Sequence, residues 1–181
     1  MVRSYTDQPV PPESIERILD AAVRAPSAGF SQGQRFIVVT DSDMRGAIAE
    51  AAGESDIVAR GFNRWLSRAP VHIVICVDTQ AYLGRYAESD KSGTDSWDVP
   101  YWWIDAGASL MAILYGAVDE GLAAGFLGGH AFTGLHSLLC IPGRIDIVGV
   151  VTIGHSAPDQ RPRSLQKGRL PRDETVHHDH W

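Results

Sequence analysis

Apolar side chains recur at helical spacing from Pro12 to Ala25, where Ile15, Ile18, Leu19 and Ala22 line one face and Pro12 and Glu13 suit a first turn. Phe36 to Val39 is a short apolar run of strand type. Asp41, Ser42 and Asp43 then offer caps for a helix through Ala52 that Gly53 ends. A further helix is predicted over Ile57 to Arg68, leading into a strand from Val71 to Val77. Between Asp78 and Pro100 the pattern lapses, and Gly84, Gly93, Pro100 and many Ser, Asp and Tyr residues predict a surface excursion or lid. A long helix follows from Tyr101 to Gly121, with Ala106, Gly107, Ala108, Gly116 and Ala117 small enough to admit another helix closely, as in a dimer core. Ala124 to Leu127 reads as a strand, Gly128-Gly129-His130 as a turn, Thr133 to Cys140 as a short helix and Ile145 to Ile153 as a strand. After Gly154 the chain is polar and basic, and Pro158, Pro162 and Pro171 oppose regular structure. No repeat or linker divides residues 1–181, so one domain is expected. Alternating helices and strands imply layers, without fixing strand direction.

Composition narrows the class. With 181 residues, 44% of them hydrophobic, the chain can bury a full core. A net charge of −6 argues against general nucleic-acid affinity, which needs clustered positive charge. The basic cluster is local: Arg161, Arg163, Lys167, Arg169 and Arg172. Cys76 and Cys140 have no metal-ligand spacing and are expected to be reduced and structural. The apolar stretch from Trp102 to Leu127 contains Asp105, Asp119 and Glu120, which predicts a buried helix and strand and no membrane span. No charged-then-apolar leader opens the chain, and a cytoplasmic location is expected.

The richest chemistry lies between the first helix and first strand, in Pro26-Ser27-Ala28-Gly29-Phe30-Ser31-Gln32-Gly33-Gln34-Arg35-Phe36. Ser27 and Ser31 bring hydroxyls, Gln32 a donor and an acceptor, and Ala28-Gly29 let a flat ligand approach the backbone. From local chemistry alone an ordinary helix stop is an equal alternative. Together with Arg3-Ser4-Tyr5-Thr6-Asp7-Gln8-Pro9-Val10, Lys167-Gly168-Arg169-Leu170-Pro171 and the closing Val176-His177-His178-Asp179-His180-Trp181, this segment resembles the nitroreductase family of FMN-dependent oxidoreductases.

The resemblance implies an α+β fold: an α/β/α sandwich around a mostly antiparallel sheet, assembled as an intertwined homodimer whose C-terminal arm, residues 162–181, crosses to the partner. It implies FMN as cofactor and NAD(P)H as electron donor. Cofactor contacts are implied at Arg3, Pro26, Ser27, Ala28, Gly29, Gln32, Gly128, Gly129, Lys167 and Arg169. Lys167 and Arg169 would clamp the phosphate, being two apart on an extended segment and able to project together. Arg3 would place a cation at the N1/C2 edge, where positive charge favours reduced flavin. The Gly128-Gly129 amides would reach N5 and O4. Only Met1-Val2 precede Arg3, where most relatives carry Arg-Arg-Ser or Arg-His-Ser; this predicts an upstream start or an FMN held by fewer contacts.

Other positions stay open. Phe30 stands where many relatives have Asn and either stacks over the cofactor or belongs to the core; Gly33-Gln34 replaces the usual Pro-Trp. Tyr101 and Trp102 are candidates for a substrate-pocket wall. Asp105 needs a cap, an ion pair or a ligand. His130 beside the glycine turn is a candidate proton donor, and His72 in a strand reads as structural. The terminal histidines lack a metal-ligand set, and no metal site is expected. The expected activity is ping-pong transfer to a nitroaromatic, quinone or enone. Alternatives are a flavin-fragmenting enzyme like the dimethylbenzimidazole-forming branch, which also has Gly-Phe at this place, or a non-catalytic flavin- or deazaflavin-binding protein.

Overall fold

The structure is a computed structural model describing residues 1–91, 97–159, 165 and 167–181. Gly93 of the predicted excursion, and Arg161, Pro162 and Arg163 of the basic tail, lie outside the described residues. In chain order the elements are α1 (Pro12–Val23), β1 (Gln34–Val39), α2 (Ser42–Ala51), α3 (Glu54–Ala59), β2 (Val71–Asp78), α4 (Thr79–Tyr86), α5 (Tyr101–Asp119), β3 (Ala123–Gly128), α6 (Leu135–Leu138) and β4 (Ile145–Gly154).

The strands form one sheet in the order β1-β2-β4-β3, and every pairing is antiparallel. Central β2 is buried throughout, and strand alternation sends its side chains to two cores. Ile73 and Ile75 meet Ile15 and Ile18 of α1 and Ile113 and Ala117 of α5, while Val74 and Cys76 meet Ile48 of α2 and Leu135 of α6. Helices therefore cover both faces, giving an α+β sandwich. A third cluster, of Tyr5, Ala49, Trp65, Leu66, Ala69 and Ala123, ties the N-terminal arm to the start of β3.

Most elements coincide with the sequence pattern, and four departures have local causes. Helix α1 stops at Val23, two residues before the predicted end, because the residue ahead of Pro26 is biased toward extended backbone. The predicted helix over Ile57 to Arg68 is replaced by short α3, after which Gly61 takes φ 89° and the chain turns. Here the buried Glu54 carboxylate accepts from the backbone N–H groups of Trp65 and Leu66 at 2.8 and 2.7 Å, and more weakly from Ser67 at 3.3 Å. The helix predicted from Thr133 to Cys140 shrinks to Leu135–Leu138, begun by Gly134 in the left-handed region. The supposed excursion after Asp78 is instead helix α4, whose Tyr82 is fully buried.

Small residues on α5 serve packing inside the chain. A Cβ at Gly116 would sit 3.5 Å from Ile18, and Ser109 Oγ donates to Ala22 O at 3.1 Å, so α1 occupies that face. Gly107 faces open space. Cys76 is buried as expected, burial pushing its thiol up to about 11, whereas Cys140 is exposed and contributes nothing to the core; both are free thiols.

His72 is fully buried, with Nε2 2.8 Å from Leu66 O, the geometry of a neutral imidazole donating to a carbonyl. Burial holds its pKa down at about 4. The unfolded chain, with an ordinary histidine near 6.5, therefore binds a proton that the folded chain refuses between those values. Stability from this residue is complete above pH ~6.5 and is lost as pH falls toward ~4, by about 3 kcal/mol. His72→Gln, which can still donate to Leu66 O, should flatten urea-unfolding stability across that window by about this amount; equal slopes for the two proteins would contradict this role.

Candidate active site

The loop joining α1 to β1 is a strap held from below. Its Ser27 Oγ accepts from Gln32 N at 2.9 Å, and Ser31 Oγ donates to Ala28 O at 2.6 Å. Gln34 Nε2 donates to Pro26 O at 3.2 Å. Gly29, Phe30 and Gln32 lie at φ 60°, 58° and 50°, in the left-handed region disfavoured for the two with side chains. Phe30 is 76% exposed, which removes the core alternative for it. Pro26 and Gln32 are exposed as well, and Ser27, Ala28 and Gly29 are partly accessible.

Below the strap are α4 and the first turn of α5. Asp105, 7% exposed, accepts from Ala28 N at 2.8 Å, so this acid caps the strap. The Tyr82 hydroxyl is buried facing Asp105, without a well-formed hydrogen bond among the described residues; burial, then the neighbouring carboxylate, raises it above the usual phenol range. Arg85 Nε donates to Gly29 O at 2.9 Å. Trp97 gathers Tyr86, Trp102, Tyr101 and Tyr82 around it, with ring centroids 4.5, 5.3, 6.2 and 6.3 Å away. Trp102 packs in this aromatic cluster and is half-buried, and Tyr101, 45% exposed, presents surface beside it.

At the far edge of the sheet the N-terminal arm meets the start of β3 and then pairs with the segment after β4, where Tyr5 bridges Ser156. Val2 N donates to Ala124 O at 2.9 Å, and Tyr5 OH reaches Thr152 Oγ1 at 2.8 Å. The Arg3 guanidinium lies over the Trp65 ring, 5.6 Å from its centroid, and Arg3 N donates to Asp159 Oδ2 at 2.9 Å. Further along β3, Gly128 leads into a 3-10 turn from Gly129 to Ala131. The first amides of such a turn have no partner within it. Gly129 is dictated by packing, because a Cβ there would stand 2.5 Å from Ile147 O. His130 is exposed, its ring folded toward Gly128.

The single chain thus brings Pro26 to Gln32 together with Asp105, and places Arg3 beside the start of β3 and Gly128-Gly129 at its end. Lys167 and Arg169 are exposed, and among the described residues no ion pair or hydrogen bond joins them to the strap or to the glycine turn. Two surface clefts, of about 380 and 550 Å³ and centred on Arg45 and Pro70, contain none of the predicted site residues. Arg85, Tyr82, Trp97 and Trp65 were not foreseen. Tyr82 and Tyr86 at i and i+4 were the available signal for a helix with an aromatic face.

The structure is thus an α+β sandwich with a cation beside the start of its edge strand, a glycine turn at the end of that strand, and a capped polar strap between α1 and β1. The model of the nitroreductase family matches residues 1–155, and the chain belongs to that family. It is 28% identical over 97% of its length to the FMN reductase [NAD(P)H] of Bacillus subtilis, covering 68% of that protein. It is 25% identical over 99% of its length to the NADPH-flavin oxidoreductase of Vibrio harveyi, covering 70% of it. Among solved structures, NfrA2 of B. megaterium superposes with TM-score 0.76 at 25% identity, over 99% of this chain and 70% of that one. The tail bearing Lys167 and Arg169 lies beyond the family match.

Proposed function

We propose that this chain is an FMN-dependent NAD(P)H oxidoreductase, reducing small electrophilic acceptors of nitroaromatic, quinone or enone type. The observation that carries the reading is the edge strand β3, with Arg3, fixed on Trp65, beside its start and the Gly128-Gly129 turn at its end. The donor set suits FMN: a guanidinium for an electron-rich ring edge, backbone N–H groups for ring heteroatoms, and the cations Lys167 and Arg169 for a phosphate. The chemistry supplied by bound FMN is two-electron transfer from a nicotinamide to an acceptor, the two taken up in turn. The protein's part is to neutralise charge, to aim its amides and to shape the surface through Pro26, Ser27, Ala28, Gly29, Phe30 and Gln32.

The working unit in this reading is a homodimer of single-domain chains, with residues 162–181 reaching across the partner. Helix α5 supports it with a solvent-facing apolar stripe: Ile104, Met111, Tyr115 and Val118 are 54%, 44%, 70% and 67% exposed. Leu165, Leu170 and Trp181 of the tail are likewise exposed, and such an arm needs a surface to lie on. The two free thiols suit a cytoplasmic location. Anaerobic assay of FMN-loaded protein with NADPH or NADH and menadione tests the activity. One quinone reduced per nicotinamide oxidised is expected, and no turnover with either donor would reject the reading.

A further inference from the structure

The strap is held harder than a connecting loop requires. Its left-handed residues Gly29, Phe30 and Gln32 keep their conformation against the preference of two side-chain-bearing residues. Two long-range hydrogen bonds hold them: Ala28 N to the buried Asp105 carboxylate at 2.8 Å, and Arg85 Nε to Gly29 O at 2.9 Å. Arg85 is itself fixed by two bonds to Asp90, at 2.8 and 2.7 Å, and one to Glu88 at 3.1 Å. Beneath, Gly29 lies directly on the ring of Tyr86, where a Cβ would come within 2.8 Å. The result of all this restraint is a phenyl ring standing 76% exposed. An apolar ring fixed in solvent by a buried acid has no role in this chain's own core.

We infer that Asp105 and Arg85 are positioning residues that lock the strap, so that Phe30 forms a preset apolar wall selecting flat aromatic acceptors. The inference rests on the flavin reading above and adds to it the means by which one class of acceptor is preferred. Preorganisation is the physical gain, since a strap already in place pays no ordering cost when a planar molecule docks. Asp105 acts through the backbone of Ala28, and Arg85 through the carbonyl of Gly29; Phe30 is the residue that would touch the ligand.

The test begins with FMN affinity of the apoprotein, read by quenching of flavin fluorescence. Asp105→Ala should raise the FMN Kd about tenfold, the worth of one charge-assisted hydrogen bond. Asp105→Asn, whose side-chain oxygen can still accept from Ala28 N, should recover most of the affinity. Arg85→Met leaves only solvated carboxylates behind, so it should fold even if Asp105→Ala does not, and it should weaken FMN comparably. In FMN-saturated protein, Phe30→Ala should raise the KM for menadione about tenfold while the KM for compact ferricyanide stays unchanged. Hydrogen exchange at the Ala28 to Gln32 amides should accelerate in Asp105→Ala and Arg85→Met with or without flavin. Wild-type FMN affinity in both variants, or an unchanged menadione-to-ferricyanide KM ratio in Phe30→Ala, would overturn the inference alone. A wild-type protein that takes up no FMN would overturn the flavin reading and this inference together.

Discussion

Glu54→Ala is expected to destabilise the protein by about 3 kcal/mol or more. Glu54 is fully buried, and one of its oxygens accepts from Trp65 N and Leu66 N at 2.8 and 2.7 Å. Arg64 approaches only to 3.8 Å, so the carboxylate works mainly as an acceptor for backbone amides. Alanine leaves those amides buried without partners, at about 1–3 kcal/mol each. Glu54→Gln keeps one acceptor oxygen and should cost less. The effect reaches the site because the same turn carries Trp65, on which Arg3 rests at 5.6 Å. Urea unfolding and FMN titration together check this: the alanine variant should lose stability and bind FMN more weakly. Wild-type unfolding midpoints would show that the turn is held by something else.

Lys167→Ala combined with Arg169→Ala is expected to strip FMN from the purified protein. Two charge-assisted contacts to a phosphate are worth about 1.5–3 kcal/mol each, so Kd should rise by roughly a hundredfold or more. Since both side chains are exposed in the isolated chain, the clamp requires the arm to settle against the rest of the site. The double variant should therefore keep its fold, with an unchanged thermal midpoint in the flavin-free state, and lose flavin selectively. Flavin content per chain after gel filtration measures this directly. Unchanged flavin content would remove both residues from the site.

What the sequence disclosed and what it hid follow from the range of the interactions. Helix α1 and strand β2 were legible because burial imposes a period on neighbouring residues: Ile15, Ile18 and Ala22 on one helical face, and a continuous apolar run in β2. The hydrogen bonds inside the strap are local, between Ser27 and Gln32 and between Ser31 and Ala28, within reach of a sequence reading. The groups that hold the strap were not, because Asp105 lies 77 residues from Ala28 and Arg85 lies 56 from Gly29. Helix α4 was hidden by its polar sequence, although Tyr82 proves to be a core residue. The turn from Gly61 to Ser67 was misread as helix because a single distant carboxylate, Glu54, supplies acceptors that periodicity does not register. Strand direction has no local signature either. The antiparallel order followed from the resemblance and is what the register shows.

The most direct test of the account is the visible spectrum of the purified protein, taken before and after adding FMN and then, without oxygen, NADPH or NADH. Protein and FMN should comigrate on gel filtration as a yellow complex, and the flavin band should bleach when a nicotinamide is added. A protein that stays colourless after FMN addition, or whose bound flavin neither nicotinamide reduces, would contradict it.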